Sequence, residues 1–249
     1  MGAASSRDSL PVRNRGWKPL LRVEVSGLTF FVVSVDGLPF DANCRRCTRL
    51  AGFLDTVRNR HPDYFARPVP SFGAGDARFL IVGLAPGMHG ANATGRPFTG
   101  DYAGILLYTT LYEFGFATRP VSEAADDGLE LIDCRITNAV RCLPPENKPV
   151  TAEVDECNSY LAYELTRLPK TGVVLALGTI AHRAVLKAVG VRLSKYPFGH
   201  AAHHVFDDGR LLIDSYHCSR YNTQTRRLTT DMFRAVFGEV RLALERDAG

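Results

Sequence analysis

Six cysteines are the first residues of this chain whose type and spacing can do chemistry: Cys44, Cys47, Cys134, Cys142, Cys157 and Cys218. Cys44-Arg-Arg-Cys47 is a Cys-x-x-Cys, and two such thiolates can bite one metal centre. At the start of a helix the N-terminal dipole favours their negative charge. Cys142 and Cys157 follow, with fourteen residues between them. Four thiolates suit a [4Fe–4S] cluster or a structural zinc, and the spacing does not choose between the two. A redox Cys-x-x-Cys, or four unconnected cysteines with two packed in the core, are the other readings. The N-terminus has no secretory signal core, which argues against a disulfide framework. Cys134 lies within an apolar run and reads as core. Cys218 adjoins His217, but nothing in its loop activates a thiolate, so both stay outside the metal set.

Three loops hold the remaining unusual residues: Gly83–Asp101, Thr137–Pro149 and Ser215–Thr225. The first is dense in glycine and small polar residues, which lets backbone come close to a ligand. It lacks the Gly-Lys-Ser/Thr end of a nucleotide P-loop and does not match the dinucleotide fingerprint. ATP and NAD are therefore poor candidates.

The elements that must position these loops can be read from hydrophobic period. Phe79–Leu84 and Val173–Leu177 are short continuous apolar runs, as in buried parallel strands. Leu131–Ile136 and Leu211–Ile213 are expected to be two more, and residues 28–33 an early strand before a turn at Asp36-Gly37. A helix is expected from Cys44 through Val57, ended by His61-Pro62, and a Pro/Gly-rich loop over 68–75. Further helices are expected over 104–114, 152–168 with Thr151 as N-cap and Glu153 and Asp155 in the first turn, 179–189 stopping at Gly190, and 230–246. Strands alternating with helices predict an α/β fold, a three-layer α/β/α sandwich around a central, mostly parallel four-stranded sheet. In such a sheet the ligand sits beyond the carboxyl ends of the strands, where the three loops fall.

The chain has 249 residues, 45% hydrophobic and 22% charged, an ordinary globular balance. One domain over 16–249 is expected, with 1–15 as a disordered basic, Ser-rich tail. Thirty Lys and Arg against 26 Asp and Glu give +4, which permits an anionic partner without demanding one. No apolar run reaches membrane-spanning length. The opening Met1-Gly2-Ala3-Ala4-Ser5-Ser6 fits the loose myristoylation pattern, which is short and often accidental.

The loop motifs together carry a specific resemblance. Gly83-Leu-Ala-Pro-Gly87, the Gly-Arg-Pro-Phe-Thr-Gly-Asp ending at Asp101, Thr137-Asn-Ala-Val-Arg-Cys142 with Pro144-Pro-Glu-Asn-Lys-Pro149, and Ser215-Tyr-His-Cys-Ser-Arg-Tyr-Asn-Thr-Gln-Thr225 resemble the type 5 (type b) uracil-DNA glycosylases, in the family's order, over about Cys44 to Phe237. The resemblance implies a glycosylase that removes uracil, and other deaminated bases such as hypoxanthine or xanthine, from DNA and leaves an abasic site. It implies a [4Fe–4S] cluster on Cys44, Cys47, Cys142 and Cys157, and this, not the spacing, raises iron–sulfur above zinc.

A base inside a duplex must be flipped into a pocket before its glycosidic bond can be cut. On the family pattern Asn138, with a donor and an acceptor, reads the base edge. His217 donates to the carbonyl oxygen of the leaving base. Phe98 stacks on the base beside Gly83, Ala85 and Gly87. Tyr221 fills the gap left in the duplex, with Arg220 on a phosphate. Arg96, Arg141, Lys148 and Arg226 are further phosphate candidates. Water activation is the open point, because Ala85 stands where other branches of the superfamily carry a polar or acidic residue. Type 5 enzymes share that absence, and Asp101 is the candidate, against a plain reading as N-cap of the next helix. Without the resemblance, Asn138 reads as a turn cap, His217 as a backbone-bonded loop histidine and Phe98 as core.

Two positions depart from the family: Ala93 where arginine is frequent, and Cys218 where some members have proline. The alternative readings are a non-catalytic iron–sulfur damage-binding module and a zinc-bearing nucleic-acid protein. A monomer in a bacterial-type cytoplasmic, nucleoid-associated setting is the default expectation.

Overall fold

The computed structural model describes the backbone of residues 21–25 and 28–32 and the whole of residues 39–246. The expected tail over 1–15 and turn at Asp36-Gly37 lie outside the described residues. β1 (Leu21–Val25) and β2 (Leu28–Val32) form an antiparallel hairpin by themselves, Leu21 pairing with Val32. No helix among the described residues is long and apolar enough to cross a membrane.

The main unit is a six-stranded mixed sheet rather than the four strands expected. Its strands are β3 (Phe72–Gly73), β4 (Phe79–Gly83), β5 (Cys134–Asn138), β6 (Val173–Leu177), β7 (His203–Val205) and β8 (Leu211–Ser215). They run in the order β3-β5-β4-β6-β8-β7. The four central strands are parallel, and each edge is closed by an antiparallel strand of two or three residues.

β4 and β6 are buried at every position because both faces are covered. Phe79 and Ile81 of β4 point with Leu175 and Leu177 of β6 into one core, which holds Phe233, Val236 and Phe237 of α7 (Thr230–Arg246) and Leu107 and Leu111 of α3 (Tyr102–Glu113). Leu80, Val82, Val174 and Ala176 face the opposite core, against Leu161 and Leu165 of α4 (Thr151–Arg167) and Val185 of α5 (Thr179–Ala188). That period-two split builds the three layers. A smaller cluster seats α1 (Thr48–Arg60) through Leu50, Leu54 and Val57 on Val140, Cys142 and Leu143.

Several boundaries move, each for a local reason. β5 starts at Cys134 rather than Leu131, because Asp133 is left-handed (φ 50°) and Leu131 bridges Ala117 instead. Asp133 anchors that turn by accepting from the Arg78 backbone and side chain, both at 2.8 Å. The shift puts Asn138 inside the strand, paired with Gly83, rather than past its end. α1 begins at Thr48, so Cys44 precedes the helix and Cys47 stands at its cap. α4 begins at Thr151 with Val150 at the cap, whose N–H donates to the Glu153 carboxylate at 2.9 Å.

Candidate active site

The carboxyl ends of the parallel strands open into a cavity of about 580 Å³ whose lining includes Ala85, Gly87, Phe98, Asp101, Asn138 and His217. Every catalytic residue expected from the sequence is therefore at one site. Gly83 is the exception among the base-contact candidates. It lies in β4 beneath the lining, where a Cβ would overlap the Asn138 carboxamide oxygen and sit 2.7 Å from the Phe98 ring. Its missing side chain is what lets Asn138 and Phe98 approach.

Asn138 is held by the sheet, and the next residue returns an N–H to the Gly83 carbonyl at 2.9 Å. Its side chain is buried, yet Oδ1 has no hydrogen-bond partner. His217 is in the same condition, with Nδ1 buried and unpartnered. Desolvation pushes its pKa down to about 4, so the ring is neutral at ordinary pH. Its loop is fixed from behind, where Asn222 donates to the His217 carbonyl at 2.8 Å. Orphaned buried polar atoms are rare and costly in a folded protein. Two on one cavity mark groups that await a ligand.

Phe98 adopts a left-handed backbone (φ 59°) and stacks on His217 with centroids 6.0 Å apart and planes at 27°. The preceding carbonyl, of Pro97, is pinned by the Tyr108 hydroxyl at 2.7 Å.

Asp101 occupies the N-cap position of α3, but its carboxylate does not cap the helix. It turns back toward the glycine loop and accepts from the N–H of Ala91, the first residue of the one-turn helix α2 (Ala91–Thr94), at 3.4 Å. Side chains at Gly87 and Gly90 would collide with it. Burial raises its pKa, opposed by the Ala91 hydrogen bond and the charge of His89. The residue thus carries a desolvated carboxylate with spare acceptor capacity at the cavity wall, which is unlike the plain N-cap reading.

At the rim, Tyr221 is 71% exposed in the first turn of α6 (Arg220–Gln224), and the Arg220 guanidinium lies 5.5 Å from the ring centre of Tyr102. Two other phosphate candidates are corrected. Arg96 is buried and donates to Ser122 and Asp127 at 2.9 and 2.8 Å, and Arg141 is buried against Glu164 at 3.2 Å. Both are committed inside the protein. Lys148 is exposed beside Glu146 at 3.3 Å, and Arg226 is exposed outside the cavity lining. Sequence reasoning passed over Tyr102, Phe198, Tyr216 and Asn222, which also line the cavity. Tyr216 and Asn222 stood inside a quoted motif, whereas Phe198 had no signal at all.

Cys44, Cys47, Cys142 and Cys157 line one small cleft between α1, the loop after β5 and α4, together with Arg46 and Arg141. None is in a disulfide. The Arg141 N–H points at Cys157 Sγ, 3.3 Å away. Burial, then the charge of Cys157, pushes the Cys47 thiol up to about 11, and Cys142 is raised likewise. Burial raises Cys157 too, whereas at Cys44 burial is outweighed by hydrogen bonds from Tyr160 and Arg46, which lower it. Ionising all four together calls for a cationic centre. No three of their sulfurs lie within 4.8 Å of one another; the one set of three His, Cys or acidic donors that tight among the described residues is His182, His204 and Asp214. Cys134 and Cys218 are fully buried in the core on the α3/α7 side.

A sheet with a parallel centre and a cavity at its carboxyl ends, walled by an aromatic ring and an unpaired amide, places this chain among the α/β proteins that hold their ligand at the strand ends. The family model for the uracil DNA glycosylase superfamily matches residues 70–241. The chain belongs to that superfamily and, within it, to the type-5 family. It is 48% identical over 203 residues to a type-5 uracil-DNA glycosylase of Thermus thermophilus, covering 80% of this chain and 92% of that one. A type-5 uracil-DNA glycosylase of Pyrobaculum aerophilum is 42% identical over 193 residues, 76% of this chain and 84% of that one. A type-4 uracil-DNA glycosylase of the same organism is 35% identical over 133 residues, 53% and 60% of the two chains.

Proposed function

We propose that this protein hydrolyses the N-glycosidic bond of uracil in DNA and leaves an abasic site. The carrying observation is the pair of buried, unpartnered polar atoms, Asn138 Oδ1 and His217 Nδ1, on a cavity that also holds the Asp101 carboxylate. A flipped uracil slides over the Phe98 ring. Asn138 Oδ1 accepts from the base N3–H, and the neutral His217 ring donates to a carbonyl oxygen of the base as negative charge builds there. Water attacks C1′ of the sugar, the C1′–N1 bond breaks, and its electron pair leaves with the base. The proton lost by the water goes to the Asp101 carboxylate, which also faces the positive charge developing on the sugar. Tyr221 fills the gap in the duplex and Arg220 takes a phosphate. Hypoxanthine and xanthine are further substrates, since Ala85 leaves the cavity wall small.

The four cleft cysteines hold a [4Fe–4S] cluster in this reading. When bound, the cluster supplies a crosslink joining α1, the loop after β5 and α4. The Arg141 backbone N–H supports one thiolate, and Arg46 and Arg141 offset the charge.

The test is incubation of anaerobically purified protein with a labelled uracil-containing oligonucleotide, then alkali. Scission that depends on uracil is the expected result, together with iron and sulfide in the protein. A folded, iron-loaded protein that binds the oligonucleotide without scission would leave a damage-binding module as the better account.

A further inference from the structure

One buried polar cluster lies beside the cavity and takes no part in the chemistry above. Asp214, at the end of β8, is fully buried. Its Oδ1 lies 2.8 Å from His182 Nδ1 of α5, and its Oδ2 lies 3.2 Å from His204 Nε2 of β7 and 3.4 Å from the Gly199 N–H. The other ring nitrogen of His182 lies 2.9 Å from the Tyr196 carbonyl oxygen. A carbonyl only accepts, so that nitrogen carries a hydrogen. The Nδ1–Oδ1 contact then needs a hydrogen of its own, because two bare acceptors at that distance repel. Both ends of the His182 ring are thereby tied, and its plane is fixed.

The tied ring meets Phe198 edge to face, with centroids 5.5 Å apart and planes at 74°. Phe198 lines the cavity and lies 6.2 Å from the Tyr216 ring, which lines it too. The segment that carries Phe198 is drawn onto β8 by the Gly199 bond above and by Ala201 N–H to the Asp214 carbonyl at 2.9 Å. The Tyr216 N–H donates to His200 Nδ1 at 3.2 Å.

We propose that Phe198 is a second aromatic wall of the base cavity, and that His182, clamped by Asp214, is the positioning residue that sets its ring. The inference rests on the uracil reading for its substrate. His182, His204 and Asp214 bring their donor atoms within 4.8 Å of one another, so a divalent cation is the competing occupant. The 2.8 Å Nδ1–Oδ1 contact favours a shared hydrogen, since ligands around a tetrahedral metal with bonds near 2.0 Å stand about 3.3 Å apart.

The experiment compares F198A, H182F, H182F/F198A, D214A and D214N with the wild type, by binding of a uracil-containing oligonucleotide and by excision kinetics. F198A and H182F should each raise Kd and KM about tenfold while kcat changes less than about threefold. The double variant should be no worse than F198A, because His182 acts through Phe198. D214A removes the tie to His182 Nδ1 and should raise Kd as F198A does, whereas D214N can still donate to that nitrogen and should restore binding toward the wild type; the pair keeps the test open where H182F folds poorly, and a D214A that binds like the wild type would overturn the proposal. Additive effects, a fall in kcat at constant KM, or a bound non-iron metal that D214N removes would each overturn the proposal. Wild-type protein that binds without excision fails the uracil chemistry, while the binding series still tests the wall.

Discussion

Two groups of buried polar side chains stand on this sheet, and they differ in one respect. Around Glu164 nearly everything is paired. Its carboxylate accepts from Arg135 at 2.6 Å, from Arg141 at 3.2 Å and from the Ser71 hydroxyl. At the carboxyl ends of the strands, Asn138 and His217 each keep one atom unpaired, and Asp101 takes a single long hydrogen bond. The first arrangement is a network in which Arg141 Nε alone lacks a partner, and its value lies in holding the parts together. The second bears a desolvation cost that folding alone does not recover. Both sets are buried and polar; what separates a structural set from a ligand site here is where the open valences lie, on residues lining the strand-end cavity for Asn138 and His217 and away from it for Arg141.

The strongest way to break that contrast is to alter each side in turn. Asp101→Asn should lower excision by roughly 10²–10⁴-fold while the melting temperature stays near the wild type, read by single-turnover kinetics and calorimetry. A variant that excises normally would remove Asp101 from the chemistry. Glu164→Gln should do the opposite. It leaves buried arginines under-compensated and should cost about 3–5 kcal/mol of stability, measured by denaturant titration, with excision per folded molecule unchanged. Loss of activity without loss of stability there would erase the distinction.

A smaller effect sharpens it. Burial raises the Asp101 carboxyl above its ordinary value. The ionised form accepts the proton, so kcat/KM should fall as pH falls through that raised value, above the ordinary carboxylate region near 4. His217, depressed to about 4 by burial, adds no limb above it. The acid limb should vanish in Asp101→Asn, and a wild-type profile flat down to ordinary carboxylate pH would count against the assignment.

Much of this was legible in the sequence, for definite reasons. β4 and β6 announce themselves because strands covered on both faces are continuously apolar. β3 and β7 do not, being two and three residues long and partly exposed, so hydrophobic period alone yields four strands of the six. Asp101, Asn138 and His217 are legible through the loop motifs that carry the family resemblance; without it Asn138 reads as a turn cap and His217 as a backbone-bonded loop histidine. The direction in which the Asp101 carboxylate turns was not, since it depends on Gly87 and Gly90 leaving room across the loop. Phe198, His182 and Asp214 lie far apart in sequence with no shared motif, and only the packing of α5 on the sheet, which sets His182 against Asp214, brings them together.

Phe98 has one more consequence. A phenylalanine with φ 59° sits where glycine would rest without penalty, at a cost of about 1–2 kcal/mol. Replacement by glycine would relieve that strain but would empty a place in the core cluster that Phe98 shares with Leu107 and Tyr108, at a cost of about 3–5 kcal/mol. The ring is thus a keystone: what its packing contributes exceeds what its backbone gives up, and a selection that scored heat resistance alone would keep it.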